Sequence, residues 1–141
     1  NRSEYNKNIK KNLIAFCEGI KDIHFTSKDF RDIKLDKLGE NDFIYLDPPY
    51  LITCATYNEN GGWGVKEETD MYDLLDKATA KGIKFAMSNV LSNKGKTSEM
   101  LLDWATKNGY KIHHLDMSYS NCNYHAKDKE SKADEVLITN Y

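Results

Sequence analysis

The chain has 141 residues, 40% of them hydrophobic and 30% charged, with a formal net charge of −2. That is enough for one domain burying roughly two-thirds of its unfolded surface. No apolar run has membrane-spanning length, and the near-neutral charge gives no global sign of nucleic-acid binding, so such a contact has to be local. The N-terminal Asn1-Arg2-Ser3-Glu4 has no signal-peptide pattern. Cys17, Cys54 and Cys122 are odd in number and lack metal spacing, which fits reduced thiols in the cytoplasm.

Tyr5 to Ile20 carries Ile9, Leu13, Phe16 and Cys17 at helical spacing, with Gly19 as a stop. Ile23-His24-Phe25 reads as a short strand running into Asp29 and Phe30, and Asp32 to Asn41 as a polar connection. The apolar run Phe43-Ile44-Tyr45-Leu46 predicts a buried strand that ends at Asp47, because Pro48 and Pro49 cannot donate to a ladder. Leu51 to Val65 is a long glycine-containing loop around Trp63. A helix is expected over Lys66–Lys81, closed by Gly82, then a strand over Ile83–Met87 ending at Ser88-Asn89. A second helix follows over Thr97–Asn108, stopped by Gly109, then a strand over Tyr110–Leu115. After a polar loop over Ser118–Ala133, Glu135–Tyr141 closes the chain as a strand. Helical crossovers imply parallel neighbours, and the last connection has none, so the final strand is expected to return antiparallel. The fold class is α/β.

Both prolines of the chain stand in Asp47-Pro48-Pro49-Tyr50, a stiff ledge at the carboxyl end of a strand, where open α/β sheets place ligands. The four histidines show no ligand spacing beside it, there is no G-x-S-x-G elbow, and the glycines around Trp63 lack P-loop spacing. The ledge suits a flat, amino-bearing substrate. The Asp47 carboxylate and the Pro48 carbonyl are acceptors for two amino hydrogens, and Tyr50 offers a stacking face. A base in a duplex reaches such a site only when flipped out.

Asp47-Pro48-Pro49-Tyr50 after an apolar strand resembles the D-P-P-Y motif of amino-group DNA methyltransferases, specifically the Dam-like (D12 class) adenine enzymes. Ser88-Asn89 and the terminal Glu135-Val136-Leu137-Ile138-Thr139-Asn140-Tyr141 are similar to that family's pattern, and Asp29-Phe30 matches where it contacts the adenine of S-adenosylmethionine. The resemblance covers the chain from about Asp22 onward. It implies a Rossmann-like three-layer methyltransferase sheet and S-adenosylmethionine as cofactor, held by Asp29, Phe30 and Asp47. It also implies double-stranded DNA as partner. Its mechanism is in-line attack of the adenine amino nitrogen on the sulfonium methyl, with Asp47, Pro48, Pro49 and Tyr50 as the catalytic segment. Aspartate at the first motif position favours adenine over cytosine.

Around that core, Tyr57 and Trp63 either close over the flipped base or anchor the loop. Ser88 and Asn89 either cap a loop or form the pocket rim. Lys127, Lys129 and Lys132 either contact phosphate or belong to a solvated mixed-charge loop. The family's glycine-rich F-x-G-x-G cofactor turn, the acidic ribose residue after it and the recognition segment have no counterpart here. The expectation is therefore a C-terminal catalytic portion. Residues 1–21 form the tail of the recognition segment and a connecting helix, and residues 22–141 the C-terminal part of the catalytic domain. The ledge strand is left with an open edge that invites self-association. Such a piece is expected to be inactive by itself. The competing readings are a cytosine, RNA or protein-amide methyltransferase, and a non-enzymatic remnant serving as an interaction module.

Overall fold

The computed structural model describes residues 5–53, 62–115 and 133–141. Asn6 caps the first helix, α1 (Lys7–Gly19), accepting 3.0 Å hydrogen bonds from the N–H groups of Asn8 and Ile9. Ile9, Leu13 and Phe16 form its apolar stripe, yet α1 has no buried residue. The strand expected at Ile23-His24-Phe25 does not form. Ile23 and Phe25 are 54% and 69% exposed, and no described strand pairs with them. β-branched and aromatic residues favour a strand only where a ladder partner and a buried face exist.

Two 3-10 turns follow, Phe30–Asp32 and Leu35–Lys37, and their apolar side chains Phe30, Leu35 and Leu38 pack toward Leu74, Ala78 and Ile83. β1 (Phe43–Leu46) then ends where the prolines begin. α2 (Val65–Ala80) crosses over to β2 (Lys84–Asn93), which pairs with β1 in parallel, Ile44 opposite Phe85 and Leu46 opposite Met87. β2 is longer than the sequence pattern indicates. It continues through Ser88 and Asn89 to a hairpin at Lys94-Gly95, both at positive φ, and returns as β3 (Lys96–Thr97). α3 (Glu99–Lys107) leads to β4 (Lys111–Leu115), and β5 (Asp134–Thr139) inserts between β2 and β4, antiparallel to both. The strand order is β1-β2-β5-β4, and the final strand is antiparallel, as the sequence pattern predicts.

Both crossover helices end the same way. Gly82 and Gly109 sit at positive φ, and the residue after each returns its N–H to the helix: Ile83 to the Ala78 carbonyl at 3.0 Å and Tyr110 to the Ala105 carbonyl at 2.9 Å. The chain is thus reversed tightly into β2 and β4. Met71, Tyr72 and Leu75 of α2 and Leu101, Trp104 and Ala105 of α3 pack on one sheet face against Phe85, Met87, Val136 and Ile138. On the opposite face Phe43, Tyr45 and Tyr141 are half or more exposed. The described residues therefore build two layers of the α/β sheet, with β1 at one edge.

Polar side chains lock the layers. Asn140 accepts from the Phe85 N–H at 2.8 Å and donates to the Thr79 hydroxyl and the Ile83 carbonyl, both at 2.9 Å. Asp76 accepts from the Trp104 indole at 3.0 Å and the Tyr110 hydroxyl at 2.8 Å. Burial pushes the Tyr110 phenol up to about 12, helped by Asp76, so it stays a donor at neutral pH.

Candidate active site

The ledge leaves β1 at the carboxyl end of the sheet. Asp47 is exposed, Pro48 half-buried, Pro49 exposed and Tyr50 half-buried. The Tyr50 hydroxyl donates to Asp47 Oδ1 at 3.0 Å. The carboxylate is thereby oriented, and an oxygen can accept further hydrogen bonds. Beyond it the backbone closes a turn, with the Thr53 N–H and hydroxyl both donating to the Tyr50 carbonyl, at 2.9 and 3.1 Å. All X-Pro bonds are trans, and the rigidity of the segment comes from the fixed φ of two consecutive prolines.

The Asp29-Phe30 corner lies on the α2 side of the ledge. Asp29 caps the first 3-10 turn, accepting from the Arg31 N–H at 2.9 Å. Phe30 is half-buried against both parts of the core and tilts against Trp63, ring centroids 5.6 Å apart at 49°. Trp63 is held from beneath: its indole N–H donates to Glu68 Oε2 at 2.7 Å, while the Tyr72 hydroxyl donates to Glu68 Oε1 at 2.6 Å. Glu68 is 1% exposed and occupies the first turn of α2, where the helix dipole favours a carboxylate. Burial, with Glu68 adding to it, drives the Tyr72 phenol far above its ordinary pKa. Trp63 is thus tied to the first turn of α2.

Ser88 and Asn89 lie within β2, not at its end, and adjacent strand residues point to opposite faces. Ser88 shares a 2.7 Å hydrogen bond with the Tyr45 hydroxyl on the open face. Asn89 is buried beside Val136, one step past the last β1–β2 pair on the Met87 face. Its Oδ1 accepts from the Val90 N–H at 2.8 Å, and its Nδ2 has no hydrogen-bond partner among the described residues. A buried amide donor without an acceptor costs stability, so this atom is suited to an added acceptor. The two residues therefore cannot share one rim. Tyr57, Lys127, Lys129 and Lys132 lie outside the described residues.

Two contributors have little sequence signal. Arg31 follows Asp29-Phe30 directly in a chain whose cations are otherwise lysines apart from Arg2, and only its contacts reveal its place. Glu68 looks like one more acidic residue in a first helical turn. Among the described residues no group of histidine, cysteine, aspartate or glutamate forms a metal-binding cluster, and no helix is long and apolar enough to cross a membrane.

The parallel β1-α2-β2 unit, the antiparallel β5 between β2 and β4, and a D-P-P-Y ledge at the end of β1 define a Rossmann-like methyltransferase sheet. The family model described as D12 class N6 adenine-specific DNA methyltransferase matches residues 1–121, and the chain belongs to that family. It is 44% identical over 146 residues to the type II methyltransferase M.FokI of Planomicrobium okeanokoites, covering 99% of this chain and 22% of that protein. It is 40% identical over 147 residues to the modification methylase StsI of Streptococcus sanguinis, with 100% of this chain and 22% of the relative covered. The modification methylase LlaI of Lactococcus lactis subsp. lactis is 27% identical over 143 residues, with 99% and 22% covered. The chain thus spans about a fifth of the length of these relatives, 22% in each case. The family implies a methyl donor.

Proposed function

We propose that the chain supplies the target-base half of an adenine-specific DNA methyltransferase that uses S-adenosylmethionine and modifies the exocyclic amino group of a flipped adenine. The observation that carries the reading is the ledge: an exposed Asp47 carboxylate, oriented by Tyr50, beside the Pro48 carbonyl at the open end of a parallel strand. Adenine's amino nitrogen is a weak nucleophile because its lone pair is delocalised into the ring. Asp47 and the Pro48 carbonyl, each accepting one amino hydrogen, favour a pyramidal nitrogen with a localised lone pair. Asp47 also stabilises positive charge building on that nitrogen. Pro49 keeps the two acceptors rigid, and Tyr50 stacks on the base. S-adenosylmethionine, when bound, supplies an electrophilic sulfonium methyl group.

The residues suit both ligands. Phe30, whose ring packs against the Arg31 guanidinium and Trp63, and Asp29, whose carboxylate is bonded to Arg31 and partly exposed, are assigned to the adenosyl part of the cofactor. The unpartnered Asn89 Nδ2 fits an acceptor nitrogen of the base ring, so of the pair Ser88-Asn89 we assign Asn89 to the pocket. Trp63 backs the Phe30 corner, Tyr57 is assigned to the base, and Lys127, Lys129 and Lys132 to backbone phosphates. The outer edge of β1 is the place for the strands of a glycine-rich cofactor segment, which this chain does not carry. The test is transfer of labelled methyl from S-adenosylmethionine to duplex DNA by the complete reading frame, followed by nucleoside analysis. N6-methyladenine supports the reading. N4-methylcytosine, methylated RNA or protein, or no transfer overturns it. The 141-residue chain alone is expected to transfer none.

A further inference from the structure

Arg31 has more partners than any other described cation. Its Nε donates to Asp70 Oδ2 at 2.8 Å, its Nη2 to Glu67 Oε1 at 3.1 Å and its Nη1 to Asp29 Oδ2 at 3.0 Å. Its guanidinium carbon lies 4.7 Å from the centroid of the Phe30 ring. One planar group therefore engages three carboxylates from two elements and covers an aromatic ring, an arrangement a lysine ammonium cannot reproduce. The turn it belongs to is three residues long, too short to hold itself. Glu67 extends the strap, since its other oxygen accepts from the Gly64 N–H at 3.0 Å, next to Trp63. One side of the Arg31 clamp is thus the Asp29-Phe30 corner, and the other is the N-terminal turn of α2 that anchors Trp63 through Glu68.

We propose that Arg31 is a positioning residue for the methyl donor: it fixes the Asp29-Phe30 corner against α2, and so sets the surface that receives the adenosyl group. This rests on the reading of Asp29 and Phe30 as cofactor contacts. Removing Arg31 frees the turn and leaves Asp29, Glu67 and Asp70 close together, with Lys66 paired to Asp70 at 2.6 Å and Lys77 nearby. The consequence should fall on cofactor affinity and spare the DNA side, because the ledge hangs from β1 and not from this turn.

The experiment compares wild type, Arg31→Ala and Arg31→Lys in the complete protein, with S-adenosylmethionine as the probe. Arg31→Ala should raise the cofactor Kd about 10- to 100-fold and Arg31→Lys about 3- to 10-fold, with the KM for DNA and kcat at saturating cofactor within about threefold. In the 141-residue chain without cofactor, the Arg31 and Ile33 amides should exchange at least about tenfold faster in Arg31→Ala, while those of β5 are unchanged. A cofactor Kd within twofold of wild type in Arg31→Ala overturns the proposal. So does full recovery by Arg31→Lys, or a parallel loss of cofactor affinity, DNA affinity and thermal stability. A wild-type protein that binds no S-adenosylmethionine overturns the functional reading itself, a result separate from any effect of the substitutions.

Discussion

Glu68 offers a sharp test of how the site is supported, because two substitutions of nearly equal size should differ widely. The carboxylate is 1% exposed and accepts from the Trp63 indole at 2.7 Å and the Tyr72 hydroxyl at 2.6 Å. In Glu68→Gln the amide oxygen can still take the indole N–H. The amide N–H can donate to a reversed Tyr72 hydroxyl, so one hydroxyl proton loses its acceptor and the cost is about 1–2 kcal/mol. In Glu68→Leu both donors are orphaned in the core, at about 1–3 kcal/mol each, partly offset by the apolar side chain, giving a loss of about 2–5 kcal/mol. Urea unfolding of the 141-residue chain, followed by far-ultraviolet circular dichroism, measures both. Trp63→Phe should cost little in the Glu68→Leu background and clearly more in wild type, since the two residues are coupled. Equal stability of Glu68→Gln and Glu68→Leu, or additivity with Trp63→Phe, would refute the reasoning.

Three further predictions concern other joints of the fold. Tyr50→Phe removes the donor to the Asp47 carboxylate but keeps the ring, so methyl transfer by the complete protein should fall about tenfold or more, the equivalent of one hydrogen bond to a charged group at about 1.5 kcal/mol or above, whereas Tyr50→Ala should fall much further. Asn140→Ala deletes three hydrogen bonds that join β5 to β2 and α2, and should lower stability by about 2–4 kcal/mol in the same urea assay. The Asp70 carboxyl is held below its ordinary pKa by Lys66 and then Arg31. That of Glu67 is lowered first by its own backbone N–H and then by the Gly64 N–H and Arg31. Both pKa values are depressed by folding, so the stabilisation is full above the ordinary carboxylate range of about 4 and is lost as pH falls through the folded values. The protection of the Arg31 and Ile33 amides, expressed relative to their intrinsic exchange at each pH, should therefore fall in acid, and high salt should weaken the same clamp at neutral pH.

The parts of this fold legible in the sequence are those specified locally. Gly82 and Gly109 stop their helices because only glycine adopts the required positive φ cheaply, and the prolines end β1 by their chemistry. The lack of a helical pattern in the sequence before β5 likewise predicts its antiparallel return. What the sequence hides is set by neighbours. Ile23-His24-Phe25 has strand composition but no ladder partner among the described residues, and it forms no strand. Ser88 and Asn89 look like a strand end, but the Lys94-Gly95 hairpin and β5 prolong the ladder past them and turn their side chains to opposite faces. The ledge is visible as a motif, and Arg31 is not, because its importance lies in three carboxylates, two of them more than thirty residues away.

In the proposed reaction Asp47 is the acceptor that makes an adenine amino group reactive. Asp47 is exposed and its contact with Tyr50 is a single hydrogen bond, so Asp47→Asn should leave the melting temperature nearly unchanged. The direct measurement is single-turnover methyl transfer by the complete protein to duplex DNA at saturating S-adenosylmethionine. Transfer to adenine by wild type, with a loss of about 1000-fold or more in Asp47→Asn, is the predicted result. Retention of activity within about tenfold of wild type would contradict it.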